Sequence, residues 1–229
     1  MKMVFDIETV GKDISSLSES QREYIFRYAE KEKDEVIREE KIEEAERYLS
    51  LYPFTAQIAS IGMLNVKTEK SLVMYNSEVS EEWVCEEKNI KYVAYTEAEM
   101  LANFWNYISK CDQVITFNGK HFDIPFLMLR SAILKIKPTR DLLKNRYNSN
   151  THLDLLDKLT YFGSVKKFNL DFYCQSFGIE SPKSKGISGM DVKELFNAGR
   201  VKDIAVYCGE DVLATYKLFK IYSDYLMVN

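Results

Sequence analysis

Apolar residues recur along this chain with two periods. Residues 2–9 (KMVFDIET), 57–64 (QIASIGML) and 70–75 (KSLVMY) are short, apolar and rich in β-formers, and they predict three strands. A turn over 65–68 predicts that the second and third form a hairpin. Residues 96–111 (TEAEMLANFWNYISKC) switch period. Met100, Leu101, Phe104, Tyr107 and Ile108 follow helical spacing, and Thr96 with Glu99 makes a capping box. Residues 114–117 (VITF) predict a further strand, closed by the turn signal Asn118-Gly119. Residues 123–134 (DIPFLMLRSAIL) predict a helix with Pro125 in its first turn, where proline is tolerated. In the C-terminal stretch Val201, Ile204, Cys208, Val212, Thr215, Phe219 and Tyr222 step by three or four. That stripe predicts a last helix facing the core. Strands followed by helices predict an α/β sheet domain.

One segment breaks the alternation. Residues 15–52 carry few core positions, and 31–47 (KEKDEVIREEKIEEAER) are nearly all charged. Asp34 with Arg38 and Glu43 with Arg47 have the i,i+4 spacing of helical ion pairs. The pattern predicts a solvated helical hairpin inserted between strands one and two. Its departure directly after the first strand also suits a lid or arm over a substrate path. Residues 178–189 (GIESPKSKGISG) read as the clearest loop.

Composition narrows the class. The 229 residues suit one domain, 1–229, bearing an insertion at about 15–52. Fifteen Tyr and thirteen Phe are ample for a packed core. The net charge of −4 shows no global basic excess, although a local basic groove remains compatible with it. Cys85, Cys111, Cys174 and Cys208 are scattered, which predicts reduced thiols and a cytoplasmic setting and argues against a disulfide framework or zinc site. His121 and His152 are the only histidines, too few for a His-rich metal site. No run reaches the ~18–20 apolar residues of a membrane span, and no signal peptide is seen.

The chemistry lies in the acids. Asp6 and Glu8 are two residues apart in an apolar strand, so they share one face. Ionised carboxylates are rarely buried unless paired or metal-bound. Asp123 sits where the strand-turn gives way to a helix, a position that also suits an N-cap. Tyr207 and Asp211 are i,i+4 partners beside the core stripe of the last helix. Gly209 lies between them at a cost of roughly 1 kcal/mol against Ala, which a close backbone approach would justify. Four carboxylates suit hard cations such as Mg²⁺. Two such ions about 4 Å apart stabilise both the attacking and the leaving oxygen of an in-line phosphoryl displacement.

FDIET with Asp6 and Glu8, NGKHFD with Asn118, Phe122 and Asp123, and YCGED with Tyr207 and Asp211 occur in that order. This order resembles the DnaQ-like 3′–5′ exonucleases of the ribonuclease H-like superfamily, in the subgroup with Tyr four residues before the last Asp. Within it the chain looks most like stand-alone exonucleases related to the proofreading domain of family B DNA polymerases. SPKSKGISGMDVKELF, just before the last motif, adds to that likeness. The resemblance implies a mixed central sheet flanked by helices and two divalent cations, Mg²⁺ or Mn²⁺. Asp6, Glu8 and Asp211 would hold the ion that carries the attacking water. Asp6 and Asp123 would hold or support the second, and Tyr207 would orient the water. Thr9 and its backbone would contact the terminal nucleotide, and Asn118 and Phe122 the penultimate one. A structural role is implied for Asp154. The substrate would be the 3′ end of nucleic acid, single-stranded DNA above RNA. The alternatives are a 3′–5′ exoribonuclease and a non-catalytic nucleic-acid-binding or partner-docking module. Arg140, Lys144, Arg146, Lys183 and Lys185 are candidate phosphate contacts, although lysines in polar loops are more often merely solvated. The long 15–52 insertion departs from the family pattern.

Overall fold

The computed structural model describes residues 1–144, 149–180, 189 and 191–227. A seven-stranded mixed sheet runs through the molecule in the order β4-β5-β3-β2-β1-β6-β7. The strands are β1 (Lys2–Gly11), β2 (Ala56–Asn65), β3 (Lys70–Asn76), β4 (Glu82–Cys85), β5 (Ile90–Tyr95), β6 (Gln113–Thr116) and β7 (His152–Asp154). β1 pairs antiparallel with β2 and parallel with β6, and β6 runs parallel with β7. The eight α-helices among the described residues are α1 (Glu19–Phe26), α2 (Glu35–Tyr48), α3 (Glu97–Ser109), α4 (Asp123–Ile133), α5 (Leu155–Leu159), α6 (Leu170–Ser176), α7 (Val192–Asn197) and α8 (Val201–Ile221). The α/β class and the mixed central sheet flanked by helices are as expected.

Alternation along β1 sorts its side chains between two layers. Met3, Phe5 and Ile7 pack with Phe104 and Trp105 of α3 and with Ile124 and Leu127 of α4. Val4, on the other face, packs with Val212, Leu218 and Phe219 of α8. The capping box is present: Thr96 accepts from the Glu99 amide and Glu99 reaches back to the Thr96 amide. α8 buries the expected positions Ile204, Cys208, Val212, Thr215 and Phe219, while Val201 and Tyr222 at its ends are half-buried.

The β4–β5 hairpin was not expected from the pattern. β4 alternates exposed and half-buried residues at the sheet edge, so it lacks an apolar run. β5 alternates buried and more exposed positions and is the clearer missed signal. All four cysteines are free thiols. No helix among the described residues is long and apolar enough to cross a membrane.

The segment between β1 and β2 folds as α1 and α2, in keeping with the expected helical hairpin, and neither helix contains a fully buried residue. Its expected ion pairs are corrected. Asp34 is the N-cap of α2 and accepts from the amides of Val36 and Ile37 at 3.0 and 3.2 Å. Arg38 turns instead to Glu35 at 3.3 Å, and Arg47 donates to the carbonyl of Glu43 at 3.4 Å. A helix start consumes the nearest acid before an i,i+4 partner reaches it. The segment is tied to the sheet at its end. Thr55 accepts at its carbonyl from the Lys12 amide at 2.8 Å, and Leu49 is buried against Gly11.

Candidate active site

β1 carries Asp6 and Glu8 on the face that meets α8. Opposite Asp6 on β2 stands Gly62. A Cβ there would come within 2.7 Å of Val212 Cγ2 and 3.1 Å of Cys208 Sγ. The missing side chain lets α8 lie close on the sheet. Gly209 does the same from the helix side, since a Cβ on it would stand 3.0 Å from the Tyr92 hydroxyl. This is the close backbone approach that a mid-helix glycine calls for. One residue beyond Glu8 the pairing slips. Glu8 faces Ser60 and Thr9 faces Ile58, so β2 accommodates Ala59 as an extra residue. Such bulges re-aim side chains at the end of a ladder.

The result is a convergence. Asp6, Glu8 and Asp211 each offer a carboxylate oxygen, and these atoms all lie within 4.8 Å of one another. Burial raises the pKa of Asp6 well above the usual carboxylate range, and the charges of Asp123, Asp211 and Glu8 push it further. Glu8 is raised by burial first, then by Asp211 and Asp123. Burial and the neighbouring carboxylates thus act on these two acids in the same direction.

Asp123 approaches from the other side. β6 pairs with β1 only at Lys2, Met3 and Val4, so the two strands part before Ile7. The N-terminus of α4 fills the gap, and the Ile7 amide donates to Asp123 Oδ1 at 3.2 Å. Burial raises the Asp123 pKa to about 7, with Asp154 and Asp211 adding to the shift and its backbone bonds opposing it. Asp123 therefore neighbours the cluster electrostatically but lies outside the group of three that share one point. It is not the N-cap of α4: Phe122 holds that position and Asp123 is the first helical residue.

Tyr207 is buried above the cluster. Its hydroxyl hydrogen-bonds Asp211, and burial together with Asp211, Glu8 and Asp6 drives its pKa far upward. The upward shift favours the neutral phenol, whose hydroxyl can donate a hydrogen bond.

Three expected substrate residues ring the same end of the sheet. Thr9 is buried and its hydroxyl donates to the Ser50 carbonyl at 2.7 Å, so the side chain anchors the helical segment and only the backbone is left for other contacts. Asn118 adopts a left-handed φ of 65°, and its amide donates to Asp154 at 2.9 Å. Phe122 is half-buried and leans on Phe126 at 5.7 Å. Asp154 takes the amides of Asn118, Lys120 and Leu156, a structural use in keeping with expectation.

Sequence reasoning missed Gly62 and the buried Lys120–Asp157 pair at 3.1 Å that braces the turn after β6. A glycine inside the apolar run QIASIGML was a legible signal for Gly62; nothing in the spacing marked Lys120. Arg140 is corrected as a phosphate contact, because its guanidinium donates to the carbonyls of Cys111 and Asp112. Lys144 and His121 are exposed, and His152 is buried, held at 2.8 Å to Thr116. Arg146, Lys183 and Lys185 lie outside the described residues.

The fold is similar to that of the family B DNA polymerase from the hyperthermophilic archaeon Pyrobaculum calidifontis, with a TM-score of 0.63 at 16% identity. The likeness covers 97% of this chain but 24% of that polymerase, so the chain spans about a quarter of its length. Residues 57–225 match a family described as "Predicted 3'-5' exonuclease related to the exonuclease domain of PolB". That span holds Asp123, Tyr207 and Asp211 but begins after Asp6 and Glu8, which the geometry joins to them. The chain belongs to this family of PolB-related 3′–5′ exonucleases.

Proposed function

We propose that the chain is a two-metal-ion exonuclease that hydrolyses phosphodiester bonds from the 3′ end of single-stranded DNA. The observation that carries this reading is the convergence of Asp6, Glu8 and Asp211 within 4.8 Å, where Asp211 raises the pKa of both Asp6 and Glu8. An all-oxygen donor set of this kind fits Mg²⁺ or Mn²⁺. Asp6, Glu8 and Asp211 would hold one ion, and Asp6 with Asp123 would hold or support the second. When bound, the ions lower the pKa of the attacking water and stabilise charge on the attacking and leaving oxygens.

The chain's own residues supply position. Tyr207, a neutral phenol fixed by Asp211, orients the water through a hydrogen bond. The Ile7 amide holds one oxygen of Asp123. The backbone at Thr9 meets the terminal nucleotide, while Asn118 and Phe122 shape the place of the penultimate one, Phe122 by stacking. Water adds to phosphorus as the bond to the 3′ oxygen breaks, releasing a nucleoside 5′-monophosphate and a shortened strand.

The test uses end-labelled single-stranded DNA, duplex DNA and RNA with Mg²⁺ or Mn²⁺. Stepwise loss from the 3′ end of single-stranded DNA, abolished in Asp6→Ala and Asp211→Ala, is the expected result. Wild-type protein that releases nothing from any of the three, or variants as active as wild type, overturns the reading. Faster loss from RNA than from DNA overturns only the choice of substrate.

A further inference from the structure

We propose that the aromatic cleft formed by the segment between β1 and β2 binds the single-stranded nucleic acid upstream of the 3′ end, by base stacking. This deepens the exonuclease reading and rests on it.

The cleft has a volume of about 860 Å³ and lies between α1, α2 and the chain entering β2. Its walls carry Tyr24, Tyr28, Tyr48, Tyr52 and Phe54, and these rings are 47 to 68% exposed. Five exposed aromatics in one concave surface are unusual beside a stretch, 31–47, that is nearly all charged. A solvated hairpin needs none of them. Exposed rings of this kind are platforms on which bases stack irrespective of sequence.

Charge separates nucleic acid from other occupants. Arg27 is the one charged residue that lines the cleft. Its guanidinium lies 3.7 Å from the ring centroid of Tyr24 and 4.6 Å from that of Tyr28. Two acids of α2, Glu40 and Glu44, line an adjoining depression that shares Tyr48, together with Lys41 and Arg47. A segment rich in Glu therefore presents rings and a cation, and no carboxylate, to whatever enters. That suits a ligand with flat π-faces and a negative backbone.

The cleft is also continuous with the catalytic end of β1. Leu49 and Thr55 line it. Leu49 abuts Gly11, Thr55 holds the Lys12 amide, and Ser50 between them accepts the hydroxyl of Thr9, the residue after Glu8. A strand whose 3′ end lies at Glu8 would reach this surface past Thr9 and Ser50, where the segment is joined to β1.

The experiment has two readouts. The first is fluorescence anisotropy of a labelled single-stranded 20-mer in EDTA, which needs no catalysis. The second is the ratio of kcat/KM on the 20-mer to that on a trinucleotide. Tyr24→Ala/Tyr28→Ala and Tyr52→Ala/Phe54→Ala are each expected to weaken binding by about 10- to 100-fold for every stacked base lost. The kcat/KM ratio should fall in parallel. Tyr24→Phe/Tyr28→Phe, which keeps the rings, should retain wild-type behaviour. Because these variants keep Arg27, the cleft's one charged lining residue, the ratio of wild-type to variant affinity should be nearly independent of salt, as expected for lost stacking and not lost phosphate contacts. Correctly melting Ala variants that bind the 20-mer as wild type does overturn the proposal, and leave the cleft to a protein partner. Ring-dependent binding by a wild type that cuts no nucleic acid sustains the cleft and overturns the exonuclease reading alone.

Discussion

Glu97 and Asp157 are nearly buried carboxylates with a cation against each. Arg130 meets Glu97 in a two-point fork at 2.8 and 2.6 Å, and the Ile58 amide adds a third bond at 2.9 Å. Lys120 meets Asp157 at 3.1 Å. In the same molecule Glu8 is buried and Asp6 half-buried, and desolvation with three carboxylate neighbours at Asp6 and two at Glu8 drives their pKa values upward. The first region is electrostatically complete in the protein alone and holds α3, α4 and β2 together. In the second, the carboxylates raise one another's pKa values, and on the proposed function a bound cation would offset them. Burying an uncompensated charge is costly, so the contrast sets acids that brace the fold against the acids proposed to do the chemistry.

The comparison breaks first on activity. Asp6→Ala or Asp211→Ala should lower kcat/KM by on the order of 10²–10⁴-fold, the equivalent of several kcal/mol of transition-state stabilisation. The same assay on Asp154→Asn should show a much smaller loss, because that side chain holds backbone amides. The stability of the metal-free protein should move the opposite way. Asp6→Asn removes repulsion and should raise the melting temperature by roughly 2–4 °C per kcal/mol relieved. A metal-free Asp6→Asn that melts below wild type would mean the cluster is compensated after all.

Arg130→Met tests the complete region. It leaves Glu97 buried beside no guanidinium, and should cost about 3–5 kcal/mol. Denaturant unfolding followed by circular dichroism reads it directly. A loss below about 1 kcal/mol, the value of a surface pair, would place Glu97 in a more hydrated setting than its contacts show.

How far these regions were legible in the sequence follows from the same physics. The site was legible because its chemistry is local: D-x-E fixes a shared face by strand alternation, and Tyr207 with Asp211 share a face by helical period. Helices with strong periodicity, α3 and α8, were equally plain. What escaped was long-range. Arg130 and Glu97 are 33 residues apart and Lys120 and Asp157 are 37 apart, with no periodic relation between them. The β4–β5 hairpin escaped because an edge strand carries little apolar pattern. The aromatic cleft escaped because Tyr24, Tyr28, Tyr48 and Tyr52 lie within a sequence dominated by charge, and only packing α1 against α2 brings the rings together.

Mg²⁺ sharpens the comparison through pH. The folded pKa values of Asp6, Glu8 and Asp123 lie above those of the unfolded chain, Asp123 at about 7. Between the usual carboxylate range near pH 4 and pH 7 the folded protein therefore binds more protons than the unfolded one. Stability of this cluster falls as pH rises through that window. A cation favours the deprotonated form, so its stabilisation should grow with pH. At about 100 times its Kd, Mg²⁺ should add about 2.7 kcal/mol at pH 7.5 and far less at pH 5. Melting curves with Mg²⁺ and with EDTA at both pH values give the answer. Equal increments at the two pH values would show that the ion binds away from these acids.

The smallest expected effect comes from Gly62→Ala, which changes neither region's charge. The added Cβ would stand 2.7 Å from Val212 Cγ2. Val212 is buried and follows Asp211 directly, so the expected relief is an outward shift of α8 that carries Asp211 away from Asp6. Overpacking of this kind costs about 1–3 kcal/mol. The resulting loss of activity should be recovered in part by Gly62→Ala/Val212→Ala, which returns the space. Mg²⁺ titration of activity distinguishes the causes. A raised Mg²⁺ requirement in Gly62→Ala, restored in the double variant, ties the closeness of α8 to the cation. An unchanged Mg²⁺ requirement with lowered stability would show that Gly62 serves packing alone, and that Asp211 keeps its place by other contacts.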